Sequence, residues 1–333
     1  MTAQVLEATR ADLFRALGVL AEPPGAARER AVHDRLAELV GMAAPDRSAW
    51  TEAFVVQLVP HASVYLSEDG MLGGVAADRV AGFWRALRLP VPADADHVAA
   101  LLGLYATVVE AEAGEPAGPR RVLLHEARAA LLHEHLLSWL LAYTSAMSAV
   151  GPPAYAAWSE LLREALLAET AAVSDAGGST PLPIHLRDQP GNADRRDVID
   201  ELLAPARTGF ILTRADLARA ARQHGLGVRL GDRRLMLRSL MEQDPPGTLR
   251  WLADHARSWA ARSRTDETVA GPIAAYWTAR AAQTAERLDS ARRGLNRSER
   301  ENGERPPGLQ DEPAVRPPAA TAATTTEGVS DDH

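Results

Sequence analysis

Cysteine is absent from the 333-residue sequence, which excludes disulfides, thiolate nucleophiles, iron–sulfur clusters and zinc sites with cysteine ligands. Lysine is also absent, so all 36 basic side chains are arginine. Aromatic residues make up only 5% of the chain, and leucine, alanine and valine must therefore fill most of the core. Because alanine and leucine are strong helix formers, this composition favours an all-helical protein.

Long uninterrupted apolar runs are missing as well. The longest candidate, 122–150, is broken by charged side chains such as Glu126, Arg128 and Glu134, and a bilayer-spanning helix needs roughly 18 apolar residues. The first residues carry acidic side chains and lack the small-residue cleavage site of a signal peptide. We therefore expect a soluble, cytoplasmic protein with no membrane span.

The net charge of −8 is unevenly distributed along the chain. Residues 1–175 carry 22 acidic and 13 basic side chains, whereas residues 205–264 carry 12 arginines and 5 acids. An acidic region attracts a basic partner segment through its long-range field, but the same excess also serves solubility alone. Both interpretations of the acidic region stay open.

Apolar residues recur at helical spacing along most of the chain, and strand patterns are nearly absent. Proline and glycine residues separate the helical stretches. The pattern divides the chain into a helical domain over 1–175, a linker or surface loop over 176–197, a helical block over 198–294 and a disordered tail over 295–333.

Three local predictions are more specific. Pro60–Gly74 has the composition of a long connection, and Tyr65 falls inside it. Thr213 and Asp216 have the spacing of a capping box at the start of a helix. The apolar spacing of residues 273–293 predicts a last helix.

Histidine and glycine patterns do not predict a catalytic, metal or phosphate site. His133-Glu134-His135 lacks the H-E-x-x-H spacing that places two imidazoles on one helix face, and His125 lies about 12 Å from His133 along a helix axis. Gly225-Leu226-Gly227 lacks the Lys-Ser/Thr of a phosphate-binding loop, and no G-x-S-x-G sequence is present. We expect a protein that is not an enzyme and that uses no cofactor and no metal ion.

The basic second block admits an alternative function, that of a helical DNA-binding or regulatory protein. Two predicted helices within Leu212–Leu240 flank a glycine-containing turn, as in a helix–turn–helix. The arginines available for phosphate contacts are Arg219, Arg222, Arg229, Arg233, Arg234 and Arg238. The first helix and its turn are about one helical turn longer than that motif requires, which makes nucleic-acid binding the second-ranked function.

Residues 63–112 carry the most specific pattern. Ser63-Val64-Tyr65-Leu66 precedes a glycine-containing loop, and a short helix with the adjacent aromatics Phe83-Trp84 follows. Asp96-His97 then leads into a leucine-rich helix. This order resembles the TorD/DmsD/NarJ family of molybdoenzyme maturation chaperones.

The resemblance covers roughly residues 10–170 and departs from the family at one point. The family hinge has the form E-P-x-D-H, and Asp96-His97 matches its second half. Ala93 and Asp94 stand where the family has Glu-Pro. The later run from His133 to Leu140, HEHLLSWL, is also similar to the long helix of the family.

The resemblance implies a helical bundle of the TorD type with a hinge near residues 90–97, and a chaperone rather than an enzyme. Family members bind the twin-arginine signal peptide, or a related N-terminal segment, of a molybdenum–bis(pyranopterin) oxidoreductase of the DMSO reductase superfamily. They assist folding and cofactor loading of that catalytic subunit before export or assembly. A hinge between helical halves is compatible with a monomer or a domain-swapped dimer.

A site for such a peptide needs carboxylates, which pair bidentately with arginine, beside an apolar groove between helices. We place the polar end at Asp96 and His97, with Asp94 assisting. The apolar end is assigned to Tyr65, Leu66, Phe83, Trp84 and Tyr105. Each residue also has a possible structural role, because the aromatics fit a core and Asp96 fits a helix N-cap, which is worth about 1 kcal/mol.

Overall fold

The computed structural model describes residues 3–173, 181–187, 197–229 and 231–303. This part of the chain is built from helices and contains no β-strand, which confirms the all-helical prediction. None of its helices is long and apolar enough to cross a bilayer.

The first half of the chain, described over residues 3–173, contains nine α-helices within that range: α1 (Ala3–Leu20), α2 (Ala27–Leu39), α3 (Arg47–Trp50), α4 (Ala62–Leu66), α5 (Gly74–Ala86), α6 (Val98–Gly114), α7 (Pro119–Ala130), α8 (Ser138–Val150) and α9 (Pro153–Val173). A π-helical turn, Thr51–Gln57, continues α3. A second π-helical turn, Leu131–Leu137, joins α7 to α8. Proline begins α7 and α9, because a proline in the first turn removes an N–H that has no partner within the helix.

The second half contains α10 (Ile184–Arg187), α11 (Val198–Leu202), α12 (Pro205–Thr208), α13 (Arg214–His224), α14 (Arg233–Gln243), α15 (Pro245–Arg264) and α16 (Glu267–Gly303). The predicted capping box is confirmed, since the Thr213 hydroxyl accepts the Asp216 N–H and the Asp216 carboxylate accepts the Thr213 N–H, both at 3.1 Å. The predicted last helix is also present and longer than expected, with a kink at Gly271. Helix α16 includes the first residues assigned to the disordered tail, and residues 304–333 lie outside the described residues.

The prediction that Pro60–Gly74 is a long connection is wrong for Ala62–Leu66, which form α4. This short helix forms because the Asp96 carboxylate reaches across and accepts the Ser63 N–H at 2.9 Å. Tyr65 is buried inside it and stacks on Trp139, with ring centroids 5.3 Å apart. These partners are distant in sequence, so a local pattern could not indicate the helix.

The predicted linker, 176–197, is also more ordered than expected in its middle. Residues 181–187, which include α10, bury Pro183, His185 and Leu186 against the first half. The flanking stretches 174–180 and 188–196 lie outside the described residues.

The core runs through both halves as one continuous apolar cluster. Helices α6 and α8 lie at its centre in the first half, and the Trp277 indole of α16 donates to the Ser138 carbonyl of α8 at 3.2 Å. The Ala215 N–H of α13 likewise donates to the Gln57 side chain at 3.1 Å. The boundary between two domains near residues 176–197 stays a prediction.

Candidate functional site

The connection over residues 90–97, which the sequence predicts as a hinge, is hydrogen-bonded to the residues around the start of α4. The Val98 N–H donates to the Pro60 carbonyl at 2.8 Å, and the Ala62 N–H donates to the Asp96 carbonyl at 3.0 Å. The imidazoles of His61 and His97 meet edge to face with centroids 4.9 Å apart. The chain therefore crosses itself here, and the hinge is held by backbone bonds as well as side chains.

The Asp-His pair takes two separate structural roles within this crossing. Asp96 is 5% exposed, and its carboxylate caps α4 rather than α6. His97 instead caps α6, because its Nδ1 accepts the Ala99 N–H at 3.1 Å. Burial, together with neighbouring His61, lowers the pKa of His97 to about 4, so the ring is neutral and able to accept this bond at neutral pH.

A groove of about 1030 Å³ opens beside the hinge. It lies between α1, α2, the hinge and the start of α6, and its walls include Arg15, Val19, Glu22, Pro23, Glu29, Val32, His33, Trp84, Pro92, Ala93, Asp94, His97, Ala99, Ala100, Gly103 and Thr107. Three predicted site residues, Trp84, Asp94 and His97, are thus brought together.

At neutral pH the groove carries more negative than positive side chains, because burial lowers the pKa of His33 and His97, which also line it. Glu22, Glu29 and Asp94 line it together with one arginine, Arg15, which pairs with Glu110 at 2.7 Å. In the part of the chain that the structure describes, Glu22 and Asp94 form no ion pair, although Glu22 interacts electrostatically with His33 and Asp94 with His97. These two exposed carboxylates can therefore accept hydrogen bonds from a cationic ligand.

Phe83 and Trp84, which are adjacent on α5, lie on different surfaces of the protein. Trp84 lines the groove and its indole donates to the Ala95 carbonyl at 3.4 Å. Phe83 instead packs against His135, with ring centroids 5.0 Å apart. Both side chains are half-buried.

The remaining predicted site residues are buried. The Tyr65 hydroxyl donates to the Val59 carbonyl at 2.8 Å, and Leu66 is 3% exposed. Tyr105 is fully buried, and its hydroxyl donates to Glu169 at 2.5 Å. These three residues belong to the core beside the site, and a role in peptide binding stays a prediction for them.

Tyr105 belongs to a buried ion cluster that the sequence did not reveal. We name it the Arg128 cluster; its members are Arg10, Tyr105, Glu112, His125, Arg128 and Glu169. The Arg128 guanidinium contacts Glu112 at 3.2 Å and Glu169 at 2.5 Å. Burial, followed by the Glu169 charge, raises the pKa of Tyr105 well above its ordinary value.

His133-Glu134-His135 lies in the π-helical turn between α7 and α8, and all three side chains contact residues 181–187. His133 Nε2 lies 2.7 Å from the Pro181 carbonyl, Glu134 accepts the Ile184 N–H at 2.7 Å, and His135 Nδ1 lies 3.3 Å from His185 Nε2. Among the residues that the structure describes, no group of three or more histidine and acidic side chains is arranged to hold a metal ion.

The arginines of the second block are largely engaged within the chain. Arg219 pairs with Asp216, Arg234 with Asp200 and Arg238 with Asp197, and Arg233 donates to the Leu212 carbonyl. Helices α13 and α14 are separated by residues 225–232, a longer connection than the turn of about 3–4 residues in a helix–turn–helix. Both observations weigh against phosphate recognition by this block.

Residues 44–144 match the sequence model of the nitrate reductase delta subunit family. Members of this family are chaperones for molybdoenzyme maturation. The matched stretch contains α3 through most of α8, and it includes the hinge and every predicted site residue. No curated protein matches the chain.

Proposed function

We propose that this protein is a cytoplasmic maturation chaperone that binds the twin-arginine signal peptide, or a related N-terminal segment, of a molybdenum–bis(pyranopterin) oxidoreductase of the DMSO reductase superfamily. Binding assists folding and cofactor loading of that catalytic subunit before export or assembly. The observation that carries the proposal is the acidic groove beside the hinge, which lies partly within the stretch matched by a family of molybdoenzyme chaperones.

The polar end of the site is the pair of exposed carboxylates, Glu22 and Asp94. A guanidinium forms bidentate hydrogen bonds with a carboxylate, so two consecutive arginines of a ligand fit two separate acids. Because both acids are exposed, each ion pair is worth only about 0.2–1 kcal/mol. We therefore expect the affinity to fall as salt rises.

The apolar end begins at Trp84. Its indole shares the groove with Val19 and Val32, and Val32 is 48% exposed. A peptide with apolar side chains after its arginines gains free energy by covering such surface, at about 25 cal/mol per Å². The site binds and shields a segment, and it makes or breaks no bond.

Co-purification tests the partner. The tagged protein, isolated from its native host, should carry the catalytic subunit of a molybdoenzyme that retains its N-terminal segment. Recovery of the same subunit only after that segment has been removed would contradict the proposal.

Fluorescence anisotropy tests the recognition chemistry. The probe is a labelled synthetic peptide with two consecutive arginines followed by an apolar stretch, and its control carries glutamines in place of the arginines. We expect the arginine peptide to bind about threefold to tenfold more tightly at low salt, as two exposed ion pairs imply. Equal affinities for the two peptides would contradict arginine recognition.

A further inference from the structure

Residues 181–187, which we call the strap, lie across the surface of the first half. Pro183, His185 and Leu186 are buried, whereas Ile184 is 39% exposed. The strap therefore inserts a few side chains into a surface of the first half.

The strap is anchored by the π-helical turn. His133, Glu134 and His135 each contact one strap residue, as described above. The π-helical turn widens the helix by one residue per turn, and this places three consecutive side chains against one segment. A π-helical turn in a helix frequently marks a functional site.

The surface around the strap includes two residues assigned to the apolar end of the peptide site. Phe83 packs on His135, which in turn contacts His185 of the strap. A cavity of about 490 Å³ is lined by Leu66 and His185 together. The strap thus lies beside the surface that an apolar ligand segment would need.

The glycine-containing loop and the start of α5 add exposed apolar side chains to this cavity, which Glu68, Asp69 and Arg79 also line. Met71, Leu72 and Val75 line the same cavity and are 62%, 61% and 66% exposed. Exposed apolar patches of this kind mark interaction surfaces on soluble proteins.

The strap has the composition of the ligand that we assign to the site. It reads Pro-Leu-Pro-Ile-His-Leu-Arg, that is, apolar side chains beside an arginine. Its contacts therefore show the chemistry that this surface accepts: an apolar segment with a free backbone N–H for Glu134 and a carbonyl for His133.

We propose that the strap occupies the apolar end of the peptide-binding surface in the free protein, and that the apolar stretch of the client segment displaces it. This inference rests on the proposed function. Phe83 and Trp84 are consecutive on α5, so a peptide whose arginines lie in the groove reaches the strap surface by crossing the end of this helix. The apparent association constant for the peptide is then the intrinsic constant multiplied by the fraction of molecules in which the strap is undocked.

The cysteine-free chain permits a direct measurement of strap displacement. In the Leu186→Cys variant the only thiol lies at a position that is 1% exposed. Its rate of reaction with a maleimide should rise at least fivefold when the two-arginine peptide is saturating. The matched control is Leu166→Cys on α9, where the native side chain is fully buried, and its rate should not change with peptide.

Loosening the strap should strengthen peptide binding. Leu186→Ala removes a buried side chain of the strap and leaves the surface beneath the strap unchanged, and we expect it to lower the Kd for the two-arginine peptide at least threefold. The control is Leu123→Ala on α7, where the native side chain is 63% exposed, which should leave the Kd unchanged.

The outcomes separate this inference from the proposed function. If the peptide binds but leaves the Leu186→Cys rate unchanged, and Leu186→Ala binds it no more tightly than the wild type, the strap inference is wrong and the function stands. If the peptide binds neither the wild type nor Leu186→Ala, the peptide-binding function fails and the strap inference fails with it. Acceleration of both thiols alike indicates general loosening and also overturns the inference.

Discussion

The Arg128 cluster and the groove beside the hinge are both built from acidic and basic side chains of the first half, but their charges are used differently. In the cluster, Arg128 is enclosed by Glu112, Glu169 and the Tyr105 hydroxyl. In the groove, Glu22 and Asp94 are exposed and form no ion pair among the described residues. A charge that is satisfied inside the fold holds helices together, whereas an unsatisfied surface charge is available to a ligand.

The cluster joins four helices, three of them through the Arg128 guanidinium. Arg128 lies on α7, Glu112 and Tyr105 on α6, Glu169 on α9, and Arg10 of α1 adds a contact to Glu169 at 3.2 Å. A buried ion pair gives little net stability compared with an apolar pair of the same shape. Removal of one partner is nevertheless costly, because the other charge stays buried without compensation.

The largest effect should therefore come from Arg128→Met. We expect the free energy of unfolding to fall by about 3–5 kcal/mol, because Glu112 and Glu169 would remain buried and keep only partly exposed partners, His125 and Arg10. Urea denaturation measures the change. Arg120→Met, which removes an exposed partner of Glu115, is the control and should change the stability by at most about 1 kcal/mol. If both variants lost equally little stability, the buried charges of the Arg128 cluster would contribute no more to the fold than exposed charges do.

The next effect should come from Tyr105→Phe, which removes the hydroxyl that bonds to Glu169 and Arg128. We expect a loss of about 1–3 kcal/mol in stability, since bonds to charged groups are the stronger ones, and no change in peptide affinity. Tyr155→Phe is the matched control, because its hydroxyl donates only to the Leu20 carbonyl. A weaker peptide affinity without loss of stability would assign Tyr105 to the binding site, as the sequence suggested.

The sequence predicts the helices well because apolar spacing and proline–glycine turns are local features. The all-helical class, the capping box of Thr213 and the last helix are all confirmed by the structure. Prediction from sequence fails at α4 and at the strap. The Asp96 carboxylate bonds to a residue 33 positions away, and the His133–His135 turn contacts residues about 50 positions away. A local pattern carries no information about such partners.

The same reasoning explains the partial prediction of the site. Asp94, His97 and Trp84 line one groove because the hinge is short and they are close in sequence. Glu22 was missed, because α1 approaches the hinge only in the folded chain. Asp96 and Tyr105 are predicted from the family resemblance and from their closeness to the hinge in sequence, and neither reveals that one caps α4 and the other lies inside an ion cluster.

The strap is held by buried histidines, as the cluster is held by buried charges, but it lies on the surface like the groove. Its docking should therefore depend on pH. Burial lowers the pKa of His135 to about 4 and that of His185 to about 3, the latter also through His135 and Arg79. An uncovered imidazole has a pKa near 6.5, so the undocked strap binds more protons below that pH and docking weakens as the pH falls from about 6.5 towards 4. Above this window the docking equilibrium should be independent of pH.

Hydrogen exchange of the strap amides, divided by their intrinsic rates, measures this equilibrium. Between pH 7 and pH 5.5 we expect about a tenfold or larger rise in opening, because each buried histidine contributes about 1 kcal/mol over that interval. Amides of α9 serve as the control for global unfolding. In His185→Gln the pH dependence should be markedly smaller, and an unchanged dependence would assign it to another group, such as His97.

The smallest change in free energy, and the sharpest test of the comparison, should come from the groove. In Glu22→Gln/Asp94→Asn the two exposed carboxylates become neutral at nearly constant shape. We expect the affinity for the two-arginine peptide to fall about threefold to tenfold at low salt, since each exposed pair is worth up to about 1 kcal/mol. The free energy of unfolding should stay within about 0.5 kcal/mol of the wild type, because both acids are exposed and neither forms an ion pair within the described chain. Glu126→Gln should change neither quantity, and a double variant that binds like the wild type would place the arginine site elsewhere.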